Sequence, residues 1–304
     1  MGIVVIGTTF VDVKGYPLGK YVPNGRNAGR VIEVHGGVAR NIAEDIANVG
    51  LTPTFVSMVD ESGLSDDLVD RLARRGCNTD HIGRAENGLG MWLAIFDETG
   101  DVAGSISRRP DTSGIERILA DRGHEIISQA DSVCVDFDID GSILERTLDL
   151  ARQHGKEVYS PVTNMAIARE RRDLLGKVSC LVCNQHEAGV LFSSQLDDAT
   201  PEELLASLPG NLAHIGLRSM VVTMGAQGSV FAQMDGRGGW CSAHAVEVAD
   251  TTGAGDAFFA GIAIGLTYGK NLGESCAIGA KLAASAIASE ENVCGRFSPE
   301  EFGF

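Results

Sequence analysis

The chain has 304 residues, 44% of them hydrophobic, enough for one large α/β domain or two smaller ones with a substantial core. Its formal net charge of −16 comes from acidic residues spread along the sequence, with no Lys/Arg tract, so nucleic acid is not an expected partner. No stretch reaches the roughly 18 apolar residues of a membrane span, and the apolar start, 3–6, is too short and lacks the basic flank of a secretion signal; no membrane association and a cytoplasmic location are expected.

In chain order, residues 3–6 read as a strand, and a Gly- and Asn-rich segment follows at 14–30. After Gly36-Gly37, the residues Val38, Ile42, Ile46 and Val49 recur at helical spacing, with Gly50 as a stop. Further strands are expected at 54–58, 133–137, 157–160, 180–183 and 220–223, interleaved with helices such as 141–154 and 201–216. Residues 91–96 and 102–106 read as a β-hairpin around Asp97-Glu98-Thr99-Gly100. This alternation implies a mostly parallel sheet covered by helices on both faces, with ligands beyond the carboxyl ends of the strands. One domain over 1–304 is expected, with insertions at about 12–34 and 88–110 forming a small second sheet that serves as a lid or a dimerisation surface.

The odd number of cysteines, seven, mostly in apolar surroundings, fits reduced thiols, and Cys180 and Cys183 read as strand interior rather than as a zinc or redox pair.

The strongest local signal is the run from Asp250 through Thr251-Thr252-Gly253-Ala254-Gly255 to Asp256, a small-residue turn leading into a helix. Two glycines let the backbone approach a ligand, and the free N–H groups of the first turn make an anion hole. Asp256 there is open to two readings, a helix cap or a base that takes the proton of a hydroxyl attacking a phosphoryl group. The pair Gly36-Gly37 suggests a substrate against the backbone, with Asp12 and Asn41 facing the same sheet edge as ligands for its hydroxyls, or else as ordinary solvated side chains. Asn184 and Glu187 follow one strand, and Thr223, Gly225 and Gly228 follow the next. They are candidates for phosphate, water-bridged Mg²⁺ and nucleotide contacts, or alternatively for a helix cap and a tight turn. The chain has no G-x-x-x-x-G-K-[ST] loop, no G-x-G-x-x-G after its first strand, no G-x-S-x-G elbow and no histidine pair at metal spacing, which removes the P-loop, dinucleotide, α/β-hydrolase and zinc-hydrolase readings.

Taken together, Gly36-Gly37 with Asn41, Asn184 with Glu187, Thr223 with Gly225 and Gly228, and the Asp250–Asp256 run resemble the PfkB, or ribokinase-like, kinase family over essentially the whole chain. The resemblance implies a three-layer α/β/α sandwich with an inserted β-sheet lid that often mediates homodimers. It also implies ATP and Mg²⁺ as cofactors, Asp256 as base, Gly253, Ala254 and Gly255 as anion hole, and a monovalent-cation (K⁺) site near Asp250 and Thr252. Phosphoryl transfer to a primary hydroxyl of a sugar or nucleoside is then expected. Within the family, 12–15, 26–30, 36–44, 160–163 and 288–293, the last including Glu290, are similar to pseudouridine kinases, with Met91 expected over the base and Arg108 and Arg109 as solvated lid charges. The alternatives are a free-sugar kinase and a non-catalytic ligand-binding protein on the same fold, against which the presence of Asp256 argues.

Overall fold

In the first strand, β1 (Ile3–Ile6), successive side chains enter two separate cores: Ile3 and Val5 pack on one side, Val4 and Ile6 on the other. That period-two partition, repeated along the central strands, is what a sheet with helices on both faces requires. The computed structural model describes residues 2–289 and 291–304; Met1 and Glu290 lie outside them.

After β1 come β2 (Phe10–Pro17), β3 (Gly29–Gly36), α1 (Val38–Asn48), β4 (Thr54–Val59), α2 (Gly63–Arg75) and β5 (Asn78–Arg84). Next are β6 (Gly90–Phe96), β7 (Val102–Arg108), α3 (Ser113–Gln129), β8 (Ser132–Val135), α4 (Gly141–Gln153) and β9 (Glu157–Pro161). The chain continues through α5 (Met165–Glu170), α6 (Arg172–Leu175), β10 (Cys180–Asn184), α7 (Gln185–Phe192), α8 (Pro201–Ile215) and β11 (Ser219–Thr223). It closes with β12 (Ser229–Gln233), β13 (Gly238–Cys241), α9 (Ala254–Thr267) and α10 (Leu272–Ile287).

The larger sheet has the order β13-β12-β11-β10-β9-β8-β1-β4-β5, parallel from β11 to β5 with antiparallel β12 and β13 at one edge. Residues of α1, α2, α9 and α10 fill the core on one face, and residues of α3 to α8 fill the other. The fold is a three-layer α/β/α sandwich with a small inserted sheet. The inserted sheet, β3-β2-β6-β7, arises from the two stretches that break the strand–helix alternation. Cys180 and Cys183 are buried thiols within β10, and Cys241 alone of the seven is partly exposed.

Two local features aim α9 at the sheet edge. Gly261 and Gly279 let α9 and α10 touch, since a Cβ at Gly261 would lie 2.5 Å from the Gly279 backbone. On the other side α9 packs against α1, whose interior holds the ion pair of Arg40 with Glu44 at 2.6 Å. Both partners are almost wholly buried, and Glu44 also pairs with Arg71 at 2.7 Å, so it is loss of Glu44 that would strand the Arg40 charge in the core, at a cost of roughly 3–5 kcal/mol.

Two sequence expectations need adjusting. The strand expected at 133–137 ends at Val135, because Asp136 turns out of the sheet and its carboxylate accepts the Asp138 N–H at 3.0 Å. The edge strands β5 and β13 carry Gly, Asn or Asp residues that mask a strand signal, and neither they nor β12 beside β13 were anticipated.

Candidate active site

The turn before α9 separates two pockets. One, of about 630 Å³, is lined by Thr252, Gly253, Asp256, Gly37 and Asn41 together with residues from the ends of β1, β8 and β9 and from α7. The other, of about 170 Å³ and largely apolar, is lined by Ala254, Gly255, Thr223, Gly225, Gly228 and Phe258, among others. Gly253 takes a φ of 80°, and a Cβ there would lie 2.0 Å from the Asn292 carbonyl oxygen, so only glycine fits. At Gly255 a Cβ would meet nothing within 4 Å. The first-turn N–H groups have no partners within the helix, and that of Ala254 is directed at the Thr251 carbonyl at 3.3 Å.

Asp256 stands in that first turn. Its Oδ2 accepts from Asn41 Nδ2 at 2.7 Å, tying α9 to α1. Burial pushes its carboxyl up to about 7, against the opposing effects of the Asn41 hydrogen bond and the Arg40 guanidinium. A carboxylate poised near neutrality in a pocket is suited to accepting a proton, a property that a helix cap alone does not call for. Asn41 Oδ1, buried, has no hydrogen-bond partner. The residue itself lines the larger pocket.

Three acidic residues follow β8, and sequence reasoning missed them: Asp136, Asp138 and Asp140 all line the larger pocket. Asp136 is likewise pushed up to about 7, by burial first and then by its neighbours Asp138 and Asp256. The available signal was the run Asp136-Phe137-Asp138-Ile139-Asp140 at the carboxyl end of a strand, where parallel sheets bind ligands.

Asp138 and Glu187 form the part of the pocket suited to Mg²⁺. Asp138 Oδ2 accepts the Thr163 N–H and hydroxyl, but its buried Oδ1 has no partner. Burial, and then repulsion from Asp138, raise the Glu187 carboxyl, a tension that a divalent cation between them would relieve. Among the described residues no three His, Cys, Asp or Glu side chains form a metal cage. Mg²⁺ needs none, since it keeps several waters and takes one or two carboxylates. Glu187 also completes a capping box with Asn184, accepting the Asn184 N–H at 2.7 Å while Asn184 Oδ1 accepts the Glu187 N–H at 2.8 Å. Asn184 uses its Oδ1 in that cap and lies outside the larger pocket's lining.

The expected substrate ligands are only partly assembled. Phe10, Asp12 and Lys14 alternate along one face of β2, but Phe10 is the one that lines the pocket. Asp12 is buried behind it and accepts from Asn292 Nδ2 at 3.3 Å; burial raises its carboxyl despite nearby Lys14 and Arg40. Gly36 also lies outside the lining, and its missing side chain leaves room for the Asp12 carboxylate, 2.6 Å from a Cβ built there. Gly37 does line the pocket, yet its φ of 97° and the backbone of Thr8 and Phe10, 2.9 Å from a Cβ, are what demand glycine. Packing within the protein is by itself enough to demand both glycines. Met91 does not reach the pocket; the lid supplies Phe10, Ser107 and Arg109 instead. Arg108 is exposed and donates to the Leu89 carbonyl at 3.2 Å.

Asp250 and Thr252 do not form an open cation site. Asp250 Oδ1 accepts the Thr252 N–H at 2.8 Å and hydroxyl at 2.7 Å, and Oδ2 faces the Lys14 ammonium at 3.4 Å. Burial alone would raise the Asp250 carboxyl, but Thr252 and Lys14 outweigh it and hold it below its usual value. With both oxygens engaged and an ammonium already present, the donor set does not fit a monovalent cation.

An open helix N-terminus beside a buried carboxylate, at the carboxyl edge of a parallel sheet and under a β-lid, defines a small-molecule kinase. The profile of the pfkB family carbohydrate kinases matches residues 2–293, and the chain belongs to that family of ATP-dependent kinases. It is 33% identical to guanosine-inosine kinase of Exiguobacterium acetylicum over 292 residues, covering 95% of each chain. It is 28% identical to pseudouridine kinase of Escherichia coli strain K12, covering 95% of this chain and 91% of that one. The fold superimposes on Arabidopsis thaliana ribokinase complexed with ribose and ATP with a TM-score of 0.86 at 21% identity, covering 99% and 98% of the two chains. Kinases of this family use ATP and Mg²⁺. Among the described residues no helix is long and apolar enough to cross a membrane.

Proposed function

We propose that this chain transfers the γ-phosphoryl group of ATP to the 5′-hydroxyl of a ribonucleoside. The observation that carries the reading is the juxtaposition of Asp256, Asn41 Oδ1 and the open α9 N-terminus in one pocket of about 630 Å³, within the size range of sites that enclose drug-sized ligands. Asp256 takes the proton of the acceptor hydroxyl as its oxygen bonds to the γ-phosphorus. The bond from that phosphorus to the β,γ-bridging oxygen breaks, and ADP leaves. The N–H groups of Gly253 to Gly255 face the charge that develops on the transferring oxygens. ATP would lie with its base in the apolar pocket floored by Gly225, Gly228 and Phe258. Mg²⁺ held by Asp138 and by Glu187, directly or through water, would supply charge neutralisation at the phosphates.

For the acceptor, Asn41 Oδ1 would accept from a ribose hydroxyl, Asp12 would join it on lid closure, and the Phe10 ring, which lines the pocket, would cover a base. The similarity to guanosine-inosine kinase favours a purine nucleoside. Pseudouridine is the second reading, supported by the similarity to the Escherichia coli enzyme over nearly the whole chain. The lid's outer face leaves Val31 and Ile106 each 70% exposed beside Leu93 and Ile95, a surface suited to a second copy of this chain. The free cysteines accord with a cytoplasmic location.

The test is ADP release measured over guanosine, inosine, pseudouridine, adenosine, ribose and fructose. A site built to pair with nucleoside groups should favour a nucleoside over free ribose by at least about tenfold in kcat/KM. A free sugar that outperforms every nucleoside would remove the nucleoside reading.

A further inference from the structure

Lys14 is the largest charged departure from what the Asp250–Thr252 segment was expected to hold. It is only 1% exposed, although it lies on a lid strand. Its Nζ sits 3.4 Å from Asp250 Oδ2 and 3.4 Å from Thr252 Oγ1, and the Asp12 carboxylate is a further electrostatic neighbour. An ammonium removed from water is costly unless it is paired, so these oxygens are what keep the charge in place. The segment it touches leads directly into Gly253, the turn that presents the α9 N–H groups.

We propose that the Lys14 ammonium is a tethered cation that takes the place of a monovalent metal ion behind the anion hole, making this kinase independent of K⁺ and Na⁺. An ammonium group carries the same charge as K⁺ and is close to it in size, so the two cannot share the oxygens of Asp250 and Thr252. The tether has a second consequence. A diffusible ion is indifferent to the lid, whereas Lys14 is part of β2, next to Phe10 and Asp12 on the same strand face. Seating of the lid strand and support of the Gly253 turn are therefore one event, and Lys14 acts as a positioning residue for the phosphate site.

The inference rests on the kinase assignment but not on the acceptor. It is tested on the full chain by binding of a non-hydrolysable ATP analogue with Mg²⁺ and no acceptor, alongside turnover of whichever acceptor the panel identifies. Each is measured in KCl, NaCl and choline chloride at equal ionic strength. The wild-type protein should give the same affinity and kcat in all three salts, within about twofold. Lys14→Ala should lose at least about tenfold in choline chloride, the effect expected of removing a charge-assisted contact, and should recover substantially with K⁺, NH₄⁺ or methylammonium. Lys14→Met, which fills the same channel without charge, should be as impaired as Lys14→Ala and should not recover. Activation of the wild-type protein several-fold by K⁺ would overturn the proposal, and so would a Lys14→Ala variant that is unimpaired or that no cation rescues. Should the variants fail to fold, the wild-type salt series alone decides. Failure of every acceptor would count against the nucleoside reading and leave the nucleotide-binding result to judge Lys14.

Discussion

Asn41 Nδ2 donates to Asp256 Oδ2 at 2.7 Å, a contact across 215 residues of sequence that fixes the start of α9 against the helix after the diglycine. Burial raises the Asp256 carboxyl to about 7, and the Asn41 hydrogen bond limits the rise because it favours the ionised form. A base must be ionised to accept a proton, so kcat/KM should fall as pH drops below about 7. Asn41→Ala removes the bond and should move that acidic limb to higher pH while also raising KM for the acceptor. A pH–rate profile with the limb unmoved would detach Asn41 from the base.

The same raised carboxyl has a stability signature. In the folded protein Asp256 holds its proton to about 7, whereas an unfolded Asp loses it near pH 3.9. The folded state binds more protons between those values, so this group lowers stability progressively as pH rises through the window and fully above it. Asp256→Asn keeps an oxygen for Asn41 and removes the charge. Thermal melts should show the variant more stable than wild type at pH 8, by a Tm shift of at least roughly 2 °C, and not at pH 4. Equal shifts at both pH values would show that Asp256 is not held protonated by its surroundings.

The two glycines of the turn should fail differently. Gly255→Val projects into open space, so the protein should fold normally and bind ATP poorly. Gly253→Ala meets the Asn292 carbonyl and a left-handed φ, so it should chiefly lower Tm. Nucleotide affinity and melting temperature measured on both variants separate the two effects; a Gly255→Val enzyme with unchanged kinetics would take the anion hole out of the mechanism.

Asp138 and Glu187 should set the Mg²⁺ requirement. Asp138→Asn leaves an amide at a position with an unpartnered buried oxygen, and Glu187→Gln weakens the capping box as well as the charge. Each should raise the Mg²⁺ concentration for half-maximal activity by about tenfold, Asp138→Asn with little change in Tm. A Mg²⁺ titration unchanged in both variants would place the cation elsewhere.

The turns at Thr252 to Asp256 and at Thr223 to Gly228 were legible in the sequence because each is local. The α/β/α order was legible for the same reason, since Ile3 to Ile6 and Val38 to Val49 each announce their period. What was not legible depended on chain crossings. Lys14 meets Asp250 across 236 residues, and Asn292 reaches Asp12 across 280, so no spacing rule exposes either contact. The pocket face of the lid depends on strand register, in which Asp12 pairs with Trp92 and Val11 with Met91, and a one-residue shift exchanges the faces. That is how Phe10, and not Met91, comes to line the pocket.

The central claim is that Asp256 accepts the proton of the attacking hydroxyl, and it is tested most directly by measuring kcat and ATP affinity together for wild type and Asp256→Asn at pH 8. The account requires kcat to fall by at least the ~10²-fold typical of losing a general base, with ATP affinity essentially unchanged. Turnover close to wild type would contradict it and reduce Asp256 to the cap of α9.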